Sequence, residues 1–489
     1  MSVSRRIARI GGRAAGFLVA VALAAATLTA AALVPWPELR VAPPSLVVQP
    51  AESRQQRVCA GPLLTLADDA AAATTASSIG SADLTTGAEP DEAEITETAL
   101  DAPGNPRADR DGTPVVLSVE PGTVDAGMLA GAQSQSASTE TMAGFAAIAC
   151  AEASAESWLV AGATTLGRTS LVSLGNPTDV AATVDVRVIG ETGAVEAGSA
   201  LGIIVPAGAQ RVVSLAGLAP NLTSPVVHVT STGGMVAAAL EQSAVDGLAP
   251  AGVEFTGAAA APASSQVIPG FVVAETGGVD PADDHAEGDG FPAVRMLATG
   301  DEPVDVSIGL MPEGGSGAGG STIEVTLQPG RTTDVPLGVL DAGAYTVRLD
   351  ADGPIVAAAR ATTGTPGADP VPGQSDAAAS VDLAWTVSTT PLLADAVVAV
   401  PDGPSPTLHL ANASGESADV EYSIDGQART VTLEAGSATS VDLEARTTVR
   451  LAGVEGVHAS VSFAGVGELA SFGVQPPGPL DSPIRVFPR

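Results

Sequence analysis

From Ile203 to Leu215 the chain reads IIVPAGAQRVVSL, and two later stretches repeat its form: VTLQPGRTTDVPL from Val325 to Leu337, and VTLEAGSATSVDL from Val431 to Leu443. Each alternates apolar and polar residues, turns at Pro-Ala-Gly, Gln-Pro-Gly or Glu-Ala-Gly, and alternates again. Period-two alternation is the pattern of a half-buried strand. A short glycine turn between two such runs predicts a β-hairpin. The recurrence at about 105–125-residue intervals marks one folding unit copied along the chain.

Outward from the first copy, short strand-like runs lie at 158–160, 170–174, 182–189, 226–229 and 235–240. Val184, Val186 and Val188 alternate with Thr183, Asp185 and Arg187, so one face is buried and the other wet, as in an antiparallel sheet. The same order returns at 294–297, 303–308, 345–349 and from Ile355, and again at 407–412, 418–424, 448–451 and from Val457. Each copy ends on a strand with an aromatic residue, near Phe255, Trp385 and Phe472. The predicted fold class is all-β: tandem immunoglobulin-like β-sandwich units over 152–257, 258–386 and 387–479, with a tail at 480–489. Units in a row contact mainly their neighbours.

The chain has 489 residues and a net charge of −34, and all 21 basic residues are arginine. That usage points to a high-GC bacterium. No basic stripe exists to displace phosphate counterions, so nucleic acid is excluded as a partner. Aromatics make up only 3% and much of the hydrophobic fraction is alanine, which predicts thin, valine-rich cores.

Residues 1–13 are a basic tail carrying Arg5, Arg6, Arg9 and Arg13, and 14–34 are an uncharged apolar run. Its length suits a single transmembrane helix, and the arginines place the tail in the cytoplasm and the rest of the chain outside. A cleaved signal peptide, with Ala30 and Ala32 at the cleavage site, is the competing reading. Residues 35–151 read as a proline-rich stalk followed by an acidic low-complexity region, with a mobile loop over 68–110. The only cysteines, Cys59 and Cys150, flank that loop, and in an exported chain they are expected to form a disulfide.

Motifs for chemistry are sparse. Without lysine there is no Walker A lysine, Schiff base or Ser-x-x-Lys pair. No His-Glu-x-x-His or Gly-x-Ser-x-Gly occurs, and His228, His409 and His458 sit in strands as structural residues. Abundant carboxylates in no distinctive arrangement do not point to a glycoside hydrolase. Asp280, Asp283, Asp284, His285, Glu287 and Asp289 form a glycine-bounded cluster whose oxygens could hold Ca²⁺, but without EF-hand spacing the cluster reads as a solvated loop. No catalytic, cofactor or metal residues are therefore assigned.

The arginine-led anchor, Cys59-Ala-Gly-Pro-Leu, the Cys150 segment leading to Trp158-Leu-Val-Ala-Gly, and Leu174-Gly-Asn176-Pro177 together resemble an uncharacterised family of actinobacterial membrane-anchored extracytoplasmic proteins, known only as a domain of unknown function. The resemblance implies an envelope location and no activity. The expected function is a non-enzymatic scaffold or protein-interaction module, with envelope proteins or cell-wall glycan as partners. The second expectation is a cell-wall carbohydrate binder, for which Trp36, Trp158, Trp385, Tyr345 and Tyr422 are the available platforms.

Overall fold

The computed structural model describes residues 19, 22–23, 46–48, 54–66, 75–196, 200–279, 289–314, 321–363, 381–424, 426–476 and 484–486. It is nearly all β. The chain forms two compact units, one of residues 1–50 with 482–489 and one of 51–481. In the first, β1 (Leu46–Val48) pairs antiparallel with the last strand, β34 (Ile484–Val486). The expected anchor over 14–34 lies outside the described residues except for Val19, Ala22 and Leu23, which are helical and exposed. No described helix is long and apolar enough to cross a membrane.

The larger unit opens with β2 (Gln55–Cys59), β3 (Leu64–Leu66), β4 (Ala76–Ser78), β5 (Asp83–Ala88), β6 (Thr96–Ala99), β7 (Val115–Val119), β8 (Leu129–Ser138) and β9 (Ala143–Ala149). Then follow β10 (Glu156–Leu159), β11 (Arg168–Asn176), β12 (Ala182–Gly190), β13 (Gly193–Ala194), β14 (Ile203–Val205), β15 (Ala209–Ser214), β16 (Val226–Gly233), β17 (Ala237–Asp246) and β18 (Ala249–Thr256). One sheet runs β10-β16-β12 with β14 on the edge of β12, and the other runs β15-β11-β17-β18. Their apolar faces share one core, in which Val184, Val186 and Val188 meet Val172, Leu174 and Leu240.

The next copy is β19 (Ala263–Val273), β20 (Ala293–Ala298), β21 (Val304–Pro312), β22 (Ser321–Leu327), β23 (Thr332–Pro336), β24 (Gly343–Thr363) and β25 (Asp382–Val387). The last is β26 (Ala396–Val400), β27 (Thr407–Asn412), β28 (Ala418–Ile424), β29 (Gln427–Leu433), β30 (Ala438–Asp442), β31 (Thr447–Ala452), β32 (Val457–Gly465) and β33 (Glu468–Val474). Its sheets, β26-β31-β28-β29 and β30-β27-β32-β33, reproduce the pairings β10-β16-β12-β14 and β15-β11-β17-β18, without a counterpart of β13. In the middle copy the same pairings occur, but β24 is 21 residues long and serves both sheets. Its first half pairs with β19 and β21, and its second half with β20 and β25.

The repeated Gly motif is not a hairpin. β14 pairs with β12 while β15 pairs with β11, and β22/β23 and β29/β30 divide in the same way. Each motif is a corner where the chain passes from one sheet to the other. Alternation fits a strand on either side of a hairpin or a corner, so the pattern alone does not separate them. Among the turn residues only Gly208, Gly330 and Gly436 take positive φ, of 64°, 63° and 69°, a conformation that glycine adopts without a Cβ penalty.

The expected stalk also differs. Residues 55–151 carry β2 to β9, and their pairings match the repeat: β2-β7-β6 in one sheet and β5-β8-β9 in the other. The described residues of 54–151 are thus a fourth, reduced copy in which the corner strands are replaced by a helical turn at Ala108–Asp111. The sequence marker of the repeat is the corner, so a copy without it carries no marker.

Nor do the copies form an open row. The final strands of the four copies, β9, β18, β25 and β33, pack as a closed ring, β9 on β18, β18 on β25, β25 on β33, and β33 back on β9. The joints are apolar. Leu63 and Ile148 of the reduced copy meet Val253 and Phe255 of the next. At the closure Phe145 and Ala147 share a core with Phe463 and Phe472.

Candidate functional site

The strands that close the ring come together at Gly144-Phe145, Gly252-Val253, Asp382-Leu383 and Glu468-Leu469. The Asp382 carboxylate lies among them and is fully buried. It accepts N–H bonds from Phe145 (2.8 Å), Val253 (3.0 Å), Leu383 (3.0 Å) and Leu469 (3.0 Å), one from each copy. Gly144 and Gly252 make room for it: a β-carbon at Gly144 would stand 2.3 Å from the carboxylate. Burial raises the Asp382 carboxyl to about 8, and the four N–H donors oppose that rise. Nearby, Glu254 is raised well above its ordinary value by burial and by the charge of Asp382. One oxygen of Glu254 accepts from the Ser471 N–H at 3.4 Å.

The joint between the copies at 152–257 and 258–386 holds buried polar groups. Arg295, buried beneath Trp385 at 4.4 Å from the ring centroid, grips Asp334 at 2.8 and 3.1 Å and donates to the Gly162, Pro225 and Thr223 carbonyls of the preceding copy. Burial alone would raise the Asp334 carboxyl, but the Arg295 guanidinium outweighs it and holds the group below the ordinary carboxylate range. Arg168 crosses the same joint to Asp289 at 2.6 and 2.8 Å. Asp289, one of the six residues of the candidate cation loop, is therefore an arginine partner. Asp280, Asp283, Asp284, His285 and Glu287 lie outside the described residues. Among the described residues no group of three or more His, Cys, Asp or Glu side chains could hold a metal.

A Ser–His–Glu constellation, which sequence reading missed, occupies the next joint. His409 Nδ1 lies 2.5 Å from Glu313 Oε2, and its Nε2 lies 2.7 Å from Ser462 Oγ. Glu313 follows β21 in one copy, and His409 and Ser462 lie on β27 and β32 of the next, so no local motif signals them. In a hydrolase these contacts would activate a nucleophile. Here Ser462 is 2% exposed, on a strand paired on both sides. Glu313 also accepts from the Gly270 N–H and the Thr346 hydroxyl. The arrangement clasps two copies and offers no approach to a substrate.

His458 and His228 are structural in the same sense. His458 is held by Thr389, and burial lowers it to about 4. His228 stacks on Trp158 at 3.9 Å between ring centroids and binds Glu156 at 2.8 Å. The sugar-platform candidates are spent in the core. Trp385 is 1% exposed, Trp158, Tyr345 and Tyr422 are buried, and Trp36 lies outside the described residues. Asn176-Pro177-Thr178 and Asn412-Ala413-Ser414 are matching clasps. Each Asn accepts from the residue two ahead and donates to the carbonyl at the end of the strand before the corner.

The Cys59–Cys150 disulfide is present, 91 residues apart in sequence. It lies beside a main-chain bridge, Val58 to Ala151, whose counterparts are Trp158 to Ala259 and Val267 to Thr389. The covalent link thus reinforces, in the reduced copy, a contact that the next two copies make by hydrogen bonds alone.

At the far end of the closing strands lies a partly enclosed cavity of about 570 Å³, walled by all four copies. Ala149 and Ala151 come from the reduced copy, Trp158 and Ala238 from residues 152–257, Trp385 and Val387 from residues 258–386, and Val397, Ala399 and Phe472 from residues 387–479. Arg57, Glu152 and Glu156 also border it.

The chain belongs to a family of unknown function, DUF5719, whose model matches residues 105–453. No curated protein matches it. Among solved structures it is similar to a Thermotoga maritima protein, 1070, at 13% identity over 26% of this chain and 92% of that one, with a TM-score of 0.19. It is similar to the CBM22 tandem domain of Paenibacillus barcinonensis Xyn10C at 11% identity over 56% and 91%, with a TM-score of 0.12. A Ca²⁺-stabilised adhesin with which an Antarctic bacterium binds ice is 16% identical over 82% and 92%, with a TM-score of 0.11. Similarity at these TM-scores carries no argument.

Proposed function

We propose that this protein is a non-enzymatic, membrane-anchored extracytoplasmic envelope protein that acts as a scaffold or protein-interaction module, built from immunoglobulin-like two-sheet units. One observation carries the reading: the groups able to do chemistry are spent on joints between copies. Asp382 holds four strands, Glu313–His409–Ser462 clasps two copies, and Arg295 with Asp334 seals a third joint. Such a body is a rigid platform, and preorganised surfaces bind with little ordering cost. The arginine-led apolar run over 14–34 supports the anchor, and the disulfide supports an oxidising compartment.

The test is cross-linking of the full chain in native membranes, followed by affinity purification. The reading predicts that the chain pellets with membranes after a high-salt wash and yields a reproducible cross-linked envelope protein. Recovery in the soluble cytoplasmic fraction would refute the placement, and retention on purified peptidoglycan or arabinogalactan with no protein partner would favour a glycan binder.

A further inference from the structure

The cavity of about 570 Å³ at the end of the ring falls in the usual range for small-molecule sites. Its walls exist because small residues stand where the four copies converge, Ala149, Ala151, Ala258, Ala259 and Ala399 among them. Larger apolar groups, Ile148, Phe472 and Trp385, complete them.

The polar groups on the wall decide the ligand class, because the protein already partners them. Trp385 Nε1 donates to Gln242 at 2.9 Å, and Ser471 Oγ bonds Thr386 Oγ1 at 3.0 Å. Ser157 and Ser154 bond each other at 3.0 Å, and Trp158 Nε1 donates to Glu156 at 3.3 Å. Arg57 pairs with Glu152 at 3.3 Å, and Gln475 donates to the Ala258 carbonyl at 3.4 Å. A sugar needs open donors and acceptors, since polar groups buried without partners are costly. A hydrocarbon needs apolar surface alone.

We propose that this cavity is a binding site for a single hydrocarbon chain, the tail of a free fatty acid or of a membrane lipid, which lies along the alanine walls with its polar head at the Arg57–Glu152 rim. This goes beyond the scaffold reading and does not depend on it: the site can bind whether or not the chain has a protein partner.

The test titrates cis-parinaric acid into the purified full chain and follows fluorescence. The proposal predicts saturable binding that is displaced by palmitate and unaffected by maltose. Ala149→Leu and Ala258→Leu, at half-buried wall positions, should each weaken binding tenfold or more with little change in melting temperature. Phosphatidylglycerol vesicles distinguish the sources: competition by vesicles assigns a membrane lipid, and competition by palmitate alone assigns a free fatty acid. Absence of saturable binding by the wild-type chain overturns the proposal, even if both variants misfold. Displacement by maltose as readily as by palmitate, or wild-type affinity in both folded variants, overturns it equally.

Discussion

The Asp382 carboxylate accepts a 2.8 Å hydrogen bond from the main-chain N–H of Phe145, 237 residues earlier in the chain. Phe145 is the third residue of β9 in the reduced copy, and Asp382 is the first residue of β25. Together with the N–H groups of Val253 and Leu469, the pair fixes the distance across the ring. The copies have no other shared acceptor of this kind among the described residues. Closure around a buried carboxyl is costly to break, because removing it leaves four main-chain donors unpaired.

Reduction should weaken the fold without abolishing it. In the chain-entropy model, linking residues 91 apart removes about 4–5 kcal/mol of unfolded-state freedom. The adjacent Val58–Ala151 bridge remains, as its counterparts do in copies with no cysteine. Calorimetry with and without reductant should show a lower melting temperature and a single, still cooperative transition.

Stability should fall as pH rises from about 5 to about 8. Burial raises Glu241 and Asp382 to about 8, and Glu254 is also raised. In that window the folded chain holds protons that the unfolded chain has released, so stability falls with rising pH. His458, lowered to about 4, acts oppositely and only as pH falls below the ordinary histidine range. Denaturation midpoints across the range check the direction. Glu241→Gln, which keeps an acceptor for the Leu64 N–H, should flatten the slope.

Valine at the corner glycines should cost about 1–2 kcal/mol each through left-handed backbone strain. A β-carbon at Gly208, Gly330 or Gly436 meets nothing within 4 Å, so strain is the whole effect. Alanine should therefore also cost stability, and β-branched valine, stiffer at χ1, somewhat more; urea midpoints of the paired variants would show it.

The strands around Val184, Val186 and Val188 were legible, because one wet and one dry face leave a period of two, and all three valines are buried as expected. The repeat was legible through Gly208, Gly330 and Gly436. What the corners do was not, since pairing partners lie far along the chain and alternation is blind to them. The reduced copy was hidden by its serine- and threonine-rich strands, such as exposed β6, and by the missing corner. The disulfide was legible because only two cysteines exist. Asp382, Arg295 and the Glu313–His409–Ser462 clasp were not, because each draws its partners from other copies. A lone buried carboxylate in a strand leaves no trace in sequence until its four donors are known.

Four β-copies close into one ring around Asp382, and amide hydrogen exchange on Asp382→Ala is the decisive measurement. Each buried donor left unpaired costs about 1–3 kcal/mol, so the loss should be felt wherever a donor lies. In the wild type the amides of Phe145, Val253, Leu383 and Leu469 should be strongly protected. In the variant all four should lose protection together, although they span the chain from the first copy to the last. Loss confined to Leu383, with Phe145 and Leu469 protected as before, would contradict the ring and leave a row of separate copies in its place.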